Sequence, residues 1–182
     1  MLRSRFLSRF AREEKGNLAV ESLILIPGLW LVFLVMVTIF DAYQQSNANQ
    51  KASYAISDLV SRQTTPVDEA FLAGAKGLFD TLAYRANDTT VRITSVRWDA
   101  ADNEFKLHWS EANGFKSGAT ASDVAQWNNL LPVVPDQEYI TVVETWSDFD
   151  PAFNVGFNVS ELHNFVFTRP RYAPRVCWET CS

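Results

Sequence analysis

Residues 16–40 read GNLAVESLILIPGLWLVFLVMVTIF, and this stretch decides the fold. No charged residue occurs in the range 22–40. With residues 18–20 on its near side, the stretch reaches the roughly 20 apolar residues that a helix needs to cross a bilayer. Because lipid offers no hydrogen-bond partner to the backbone, a single spanning segment has to be helical. We therefore predict a transmembrane helix over residues 17–40.

A short basic leader, residues 1–16, precedes the span. It holds five basic and two acidic residues, whereas the first basic residue after the span is Lys51. The positive-inside tendency therefore predicts a cytoplasmic N-terminus and places residues 41–182 outside. A cleaved secretory signal is the alternative. However, the apolar run is longer than the roughly 7–15 residues of a signal's hydrophobic region, and Asp41-Ala42-Tyr43 is not a small-residue cleavage site.

Two residues of the span carry unusual chemistry. An unpaired carboxylate in hydrocarbon costs at least ~2.5–3.5 kcal/mol, so Glu21 is expected to meet a partner. The alternative is an interfacial side chain that extends toward the lipid headgroups. Pro27 lacks an N–H donor and obstructs the carbonyl of Leu23, which predicts a helix kink. That kink is either harmless or a soft point at which the helix bends on leaving the bilayer.

The order of these features resembles the class III signal of the type IV pilin superfamily. A basic leader ends in Gly16, the mature chain would begin at Asn17, and Glu21 would be the fifth mature residue. The sequence Ala-Val-Glu at 19–21, followed by Pro27, is similar to the TadE/TadF-like pseudopilins of the tight-adherence (Flp) pilus system. The resemblance covers roughly residues 12–60, about a quarter of the chain.

The resemblance implies a set of roles and partners. A prepilin peptidase would cut between Gly16 and Asn17, and Glu21 would guide assembly. Other partners would be pilin or pseudopilin subunits, the inner-membrane assembly platform and membrane lipid. The protein would be a single-pass protein of a bacterial inner membrane with a periplasmic domain. Major Flp pilins have an aromatic residue where this chain has Ser22 and end soon after the helix, so a minor pilin-like subunit is favoured.

Cleavage would also create a new charge. An ammonium at Asn17 and the carboxylate of Glu21 would stabilise each other at the membrane face, within one helix or between neighbouring subunits. Such a pair would set the register of each subunit against the next.

Outside the span the sequence predicts an α+β domain over residues 64–182. The range 41–63 is predicted to continue the membrane helix as a pilin-like long helix, because residues 42–63 contain no proline or glycine. The predicted buried stripe of this extension consists of Ala48, Ala52, Ala55, Ile56, Leu59 and Val60. A second helix is predicted to start with Pro66 in its first turn and to end near Tyr84.

Alternating patterns after Thr90 predict a small antiparallel sheet. A hairpin is expected over 91–109, with its turn at 99–103, and two further strands over 138–146 and 162–167. Residues 111–121 are expected to be a loop. A short helix through Leu130 is expected to be capped by Ser122-Asp123.

The remaining sequence gives little support for catalysis. Cys177 and Cys181 predict a small terminal disulfide in an oxidising compartment, with an inter-subunit bond or free thiols as alternatives. His108 and His163 lie in no zinc motif, so no metal and no cofactor are expected. The acidic cluster at 99–104 is expected to be a solvated turn rather than a calcium loop.

Charge excludes one class of partner. The range 41–182 holds 18 acidic and 11 basic residues, a formal charge of −7, which argues against nucleic-acid binding. The sequence therefore predicts a non-catalytic, pilin-like assembly protein. The alternative is a signal-anchored periplasmic binding or enzymatic domain unrelated to pili.

Overall fold

The computed structural model describes residues 18–83, 88–151, 153 and 161–181. Within these ranges the chain forms three α-helices, one short 3-10 helix and a four-stranded antiparallel sheet, an α+β fold. The leader, Gly16 and Asn17 lie outside the described residues, so the predicted peptidase site has no structural account.

Helix α1, Leu18–Ser61, dominates the molecule with 44 residues, about 66 Å of axial length. It runs without interruption from the apolar stretch into the polar extension, as the lack of proline and glycine in residues 42–63 predicts. Pro27 lies inside it, where its predicted effect on bending stays a prediction. Among the described residues, α1 is the one helix that is long and apolar enough to cross a membrane. This property fits either a membrane anchor or a signal sequence.

The second half of α1 packs on the sheet, but its buried stripe differs from the predicted one. Ala55 and Leu59 are exposed, whereas Asn49 and Ser53 are fully buried. The observed stripe repeats every three to four residues, as helical geometry requires. Its members are Gln45, Asn49, Ala52, Ser53, Ile56, Ser57 and Val60.

Helix α2, Glu69–Leu82, begins later than predicted. Asp68 is the N-cap, and its side chain accepts a hydrogen bond from the backbone N–H of Phe71. Pro66 therefore lies before the helix instead of in its first turn. The residue between them, Val67, forms a bridge with Trp178, which holds this stretch in an extended conformation.

The sheet has the order β2-β1-β3-β4, with every neighbour antiparallel. Its strands are β1 (Thr89–Asp99), β2 (Glu104–Asn113), β3 (Tyr139–Asp148) and β4 (Glu161–Thr168). The predicted hairpin and both later strands are confirmed. The prediction of a loop from 111 is wrong by three residues, because β2 stays paired with β1 to the end.

Helix α3, Ala121–Ala125, and a 3-10 turn, Gln126–Asn129, follow the sheet's first hairpin. The predicted cap at Ser122-Asp123 is wrong. Thr120 is the N-cap, and Asp123 closes a reciprocal capping box from inside the first turn.

The two faces of the sheet have separate hydrophobic cores. On one face, α1 and α2 bury a cluster that includes Ile56, Phe79 and Ile93. On the other face, α3 and its 3-10 turn bury a cluster that includes Val124, Trp127 and Ile140. Strands β1 and β3 therefore each contribute residues to both cores.

Candidate functional site

The first half of α1 is an exposed apolar rod. From Val20 to Phe33 nearly every side chain is exposed, including Leu23, Leu29 and Trp30. A helix with apolar side chains on all sides needs another apolar environment around it, such as lipid or other helices. This half is therefore the part of the chain that is built to contact something outside the chain.

Glu21 lies at the start of this rod, as the sequence predicts, and its side chain is exposed. No hydrogen bond or ion pair joins its carboxylate to any residue of the described ranges. A cationic partner for Glu21 therefore does not come from the described part of the packed domain, whose hydrogen bonds with α1 begin only at Thr38.

The domain contacts α1 through a polar seam that the sequence does not predict. Asn49 Nδ2 donates to Ser147 Oγ at 2.5 Å, and the hydroxyls of Ser53 and Thr145 lie 2.7 Å apart. Nearer the rod, Gln45 Nε2 donates to the carbonyl of Asp148 at 3.2 Å. β3 therefore runs antiparallel to α1, and its successive residues lie opposite α1 residues that are progressively nearer the apolar rod.

A C-terminal strap, residues 169–181, fixes the far end of α1. The backbone N–H of Arg171 donates to the carbonyl of Ser61, the last residue of α1, at 2.8 Å. Further on, the strap pairs with Val67 between the two helices. Trp109 Nε1 on β2 donates to the carbonyl of Val176 at 2.8 Å. The strap thereby ties helix, connection and sheet together.

The two cysteines lie at the end of this strap. Cys177 and Cys181 are joined by a disulfide, with Cα atoms 5.3 Å apart. Cys177 is buried and Cys181 is exposed. The bond closes a short ring that contains Trp178 and Glu179, the residues adjacent to Val67. Its position suits a structural clasp on the strap.

A buried charge cluster on the sheet face opposite α1 is the feature that sequence reasoning missed. Glu144 on β3 is only 3% exposed. Its carboxylate accepts from Arg92 Nε of β1 at 2.7 Å and lies 3.3 Å from His163 Nε2 of β4. The signal was present, since Glu144 interrupts the apolar run of the strongest strand and charged residues are seldom fully buried without a partner.

Aromatic stacking completes this cluster. The rings of Trp146 and His163 are stacked at 4.7 Å and 10°. The guanidinium of Arg92 lies 4.7 Å from the centre of the same indole. Lys116 lies farther out, 5.9 Å from that ring centre, and pairs with Glu161. The positive charge of Arg92 therefore balances the negative charge of Glu144, and the rings of Trp146 and His163 cover the pair. This arrangement is typical of a structural ion pair.

The other residues considered from sequence are placed apart from this cluster. Asp99 and Asp102 in the hairpin turn both pair with Lys106, whose hydrogen bond is the main cause that lowers the pKa of Asp99. The described residues contain no group of three or more His, Cys, Asp or Glu side chains that could hold a metal ion.

His108 lies at the bulge of β2, where its ring meets the edge of Tyr139 at 5.2 Å. Partial burial is the main cause that lowers its pKa, and the charges of Arg175 and Arg97 add to the effect. This histidine is therefore held in its neutral form over a wider pH range than a free one.

Comparison with protein-family models, with curated proteins and with solved structures finds no match to any of them. The geometry therefore defines a class by its architecture alone: an α+β protein with one long, apolar N-terminal helix.

Proposed function

We propose that this protein is a minor pilin-like subunit or assembly protein of a tight-adherence pilus, anchored in the inner membrane by α1. A prepilin peptidase removes the leader after Gly16. The periplasmic domain then takes part in pilus biogenesis and surface attachment with other pilin or pseudopilin subunits and the assembly platform. The protein performs no catalysis.

The division of α1 into two halves supports this proposal. The half up to Phe33 is apolar and exposed, whereas the half from Gln45 onward is docked on the sheet. Such a helix can hold a folded domain outside the membrane while its free half contacts lipid or neighbouring helices. A domain that only needed an anchor would not require the rigid continuation over 41–61.

The proposal rests chiefly on the position of Glu21 at the start of the apolar half of α1. Glu21 is the one acidic residue between the start of α1 and Phe40, and it has no partner among the described residues. A carboxylate in that position is costly unless a cation meets it. The ammonium that cleavage would create at Asn17, on the same chain or on a neighbour, supplies such a cation.

The buried cluster at Glu144 supports a non-catalytic domain. Its carboxylate is neutralised by Arg92, and the pair is covered by the rings of Trp146 and His163. A catalytic acid or base needs access to a substrate, and Glu144 has almost no exposed surface.

The test is a Gly16→Ala substitution followed by the intact mass of the protein extracted from membranes. We expect the wild type to lack the leader and the variant to retain it. Gly28→Ala is the matched control, because a methyl group there meets no atom within 4 Å. Equal processing of the wild type and of both variants would contradict the assignment of Gly16.

A signal-anchored periplasmic binding or enzymatic domain is the second candidate function. The partly exposed imidazole of His163 beside Glu144 is the observation that favours it. The two functions differ in the importance of Glu21. A Glu21→Ala change abolishes assembly if the protein is pilin-like, and it leaves the activity of an anchored domain almost unchanged.

A further inference from the structure

The lower edge of the domain lies beside the apolar half of α1. Thr38 is 4% exposed, although it belongs to the charge-free range 22–40. Its hydroxyl donates to the carbonyl of Leu34 at 2.9 Å and lies 3.4 Å from the carbonyl oxygen of Phe153. Phe153, a residue of the β3–β4 connection, therefore contacts α1 within the charge-free range that is predicted to cross the membrane.

Contacts along α1 give the direction of this connection. Ser147 lies opposite Asn49, Asp148 lies opposite Gln45, and Phe153 lies opposite Thr38. At 1.5 Å per residue, the last step descends about 10 Å along the helix axis. The chain after β3 therefore runs toward the apolar rod, and Phe153 makes the last of these three contacts, the one nearest the rod.

The length of the span places this edge near one surface of the bilayer when Glu21 stays at the opposite surface. The 22–40 segment is about 28 Å long as a helix, against a hydrocarbon thickness of about 30 Å. Moving α1 outward until Thr38 clears the bilayer would draw Glu21 into hydrocarbon. Thr38 lies 17 residues, or about 26 Å of helix, from Glu21, so with Glu21 at the inner edge of the hydrocarbon Thr38 lies within about 5 Å of its outer edge.

The chemistry at this edge suits that boundary. Phe153 is 45% exposed, and Phe40 on α1, about 3 Å of helix above Thr38, is also exposed. Asp148 lies above Phe153, opposite Gln45, and Asp150 lies between Asp148 and Phe153 in the chain; both are exposed. Aromatic rings below and carboxylates above match an interface between acyl chains and headgroups.

We propose that Phe153 is seated in the outer interface of the bilayer, with Asp150 at the level of the headgroups. The domain then rests on the membrane in a fixed orientation before any assembly takes place. This inference rests on the membrane crossing of α1 contained in the proposed function, and it adds a second point of attachment beside the helix.

Spin labels on the full chain test the inference in vesicles of phosphatidylcholine and phosphatidylglycerol. Single changes Phe153→Cys, Asp150→Cys, Trp30→Cys and Tyr172→Cys are labelled while the native disulfide stays oxidised. The measurement is the ratio of the label's accessibility to oxygen over its accessibility to a water-soluble nickel chelate, which rises with depth in lipid. Tyr172 is the exposed aromatic control, because it adjoins Arg171 at the far end of α1.

We expect the ratio to be highest at position 30, several-fold above the Tyr172 control at position 153, and intermediate at position 150. If position 30 gives a high ratio while 153 and 150 match the control, the inference is wrong and the span stands. If position 30 also matches the control, the membrane crossing and the proposed function fail together. The exposed Asp150 site keeps the test decisive should the Phe153 variant misfold.

Discussion

Two carboxylates in opposite settings define the chemistry of this chain at the scale of residues. Glu21 is exposed on an apolar helix and has no partner in the described ranges, whereas Glu144 is buried and pairs with both Arg92 and His163. The first setting is readable from sequence, because a lone acid beside an apolar run stands out. The second depends on three strands meeting in register, which no local pattern encodes.

The Glu144 cluster gives a prediction about stability. Arg92→Met is expected to cost about 3 kcal/mol, because it leaves a buried carboxylate without its main partner. Lys116→Met is the matched control: Lys116 is the second cation over Trp146, but its pair with Glu161 is more than one-third exposed on both sides. That change should cost less than about 1 kcal/mol.

Urea unfolding in mild detergent, followed by tryptophan fluorescence, measures both variants. Equal losses of unfolding free energy for Arg92→Met and Lys116→Met would show that the buried Arg92–Glu144 pair contributes no more to stability than the exposed Lys116–Glu161 pair.

His108 predicts a pH dependence in a defined window. Its folded pKa lies below the unfolded value of 6.5, so the unfolded chain binds the proton more readily. The stabilising contribution is complete above pH 6.5 and is lost as the pH falls through the folded pKa. Asp99 and Asp123, whose pKa values are also lowered, act only below their ordinary pKa of 3.8.

We therefore expect the urea concentration at the unfolding midpoint of the wild type to decrease when the pH is lowered from 7.5 to 5.5. The decrease should be smaller in His108→Asn. A fall of the same size in that variant would exclude His108 as the cause.

At the scale of elements, the sequence predicts what its periodicity encodes and misses what depends on packing partners. The continuity of α1, the hairpin and both later strands follow from local patterns. The face of α1 does not, since Ala55 and Leu59 are apolar yet exposed, while Asn49 is polar yet buried. β3 offers hydroxyls along its contact with α1, so the polar side of the helix is the complementary one.

This seam makes a prediction about paired substitutions. Asn49→Ala leaves the buried hydroxyl of Ser147 without its donor, which is expected to cost about 1–3 kcal/mol. Adding Ser147→Ala should recover part of that loss, because both polar groups are then absent. The measurement is a double-mutant cycle on urea unfolding, with Asn47→Ala, a half-buried residue outside the seam, as the control. Strict additivity of the two changes would contradict the seam.

The strap gives a second prediction at this scale. Loss of the Cys177–Cys181 bond opens a ring of five residues, which corresponds to about 2 kcal/mol in the chain-entropy description. The double variant Cys177→Ser with Cys181→Ser should therefore unfold at lower urea than the oxidised wild type. Reduced wild type should match the variant, and a midpoint unaffected by reduction would show that the clasp is dispensable.

At the scale of the whole molecule, α1 combines two environments in one rigid element. Its exposed apolar half calls for lipid or other helices, and its docked half orients the sheet above them. The sequence predicts this division because charge and hydropathy change at Asp41. It does not predict how far down the domain reaches, because the contact of Phe153 with Thr38 joins residues 115 positions apart.

The central claim is that a peptidase exposes a new amine next to Glu21. N-terminal sequencing of the wild-type protein extracted from cell membranes tests it most directly. The account predicts a mature chain that begins at Asn17. A chain that still begins at Met1 would contradict it and leave a plain single-pass anchor.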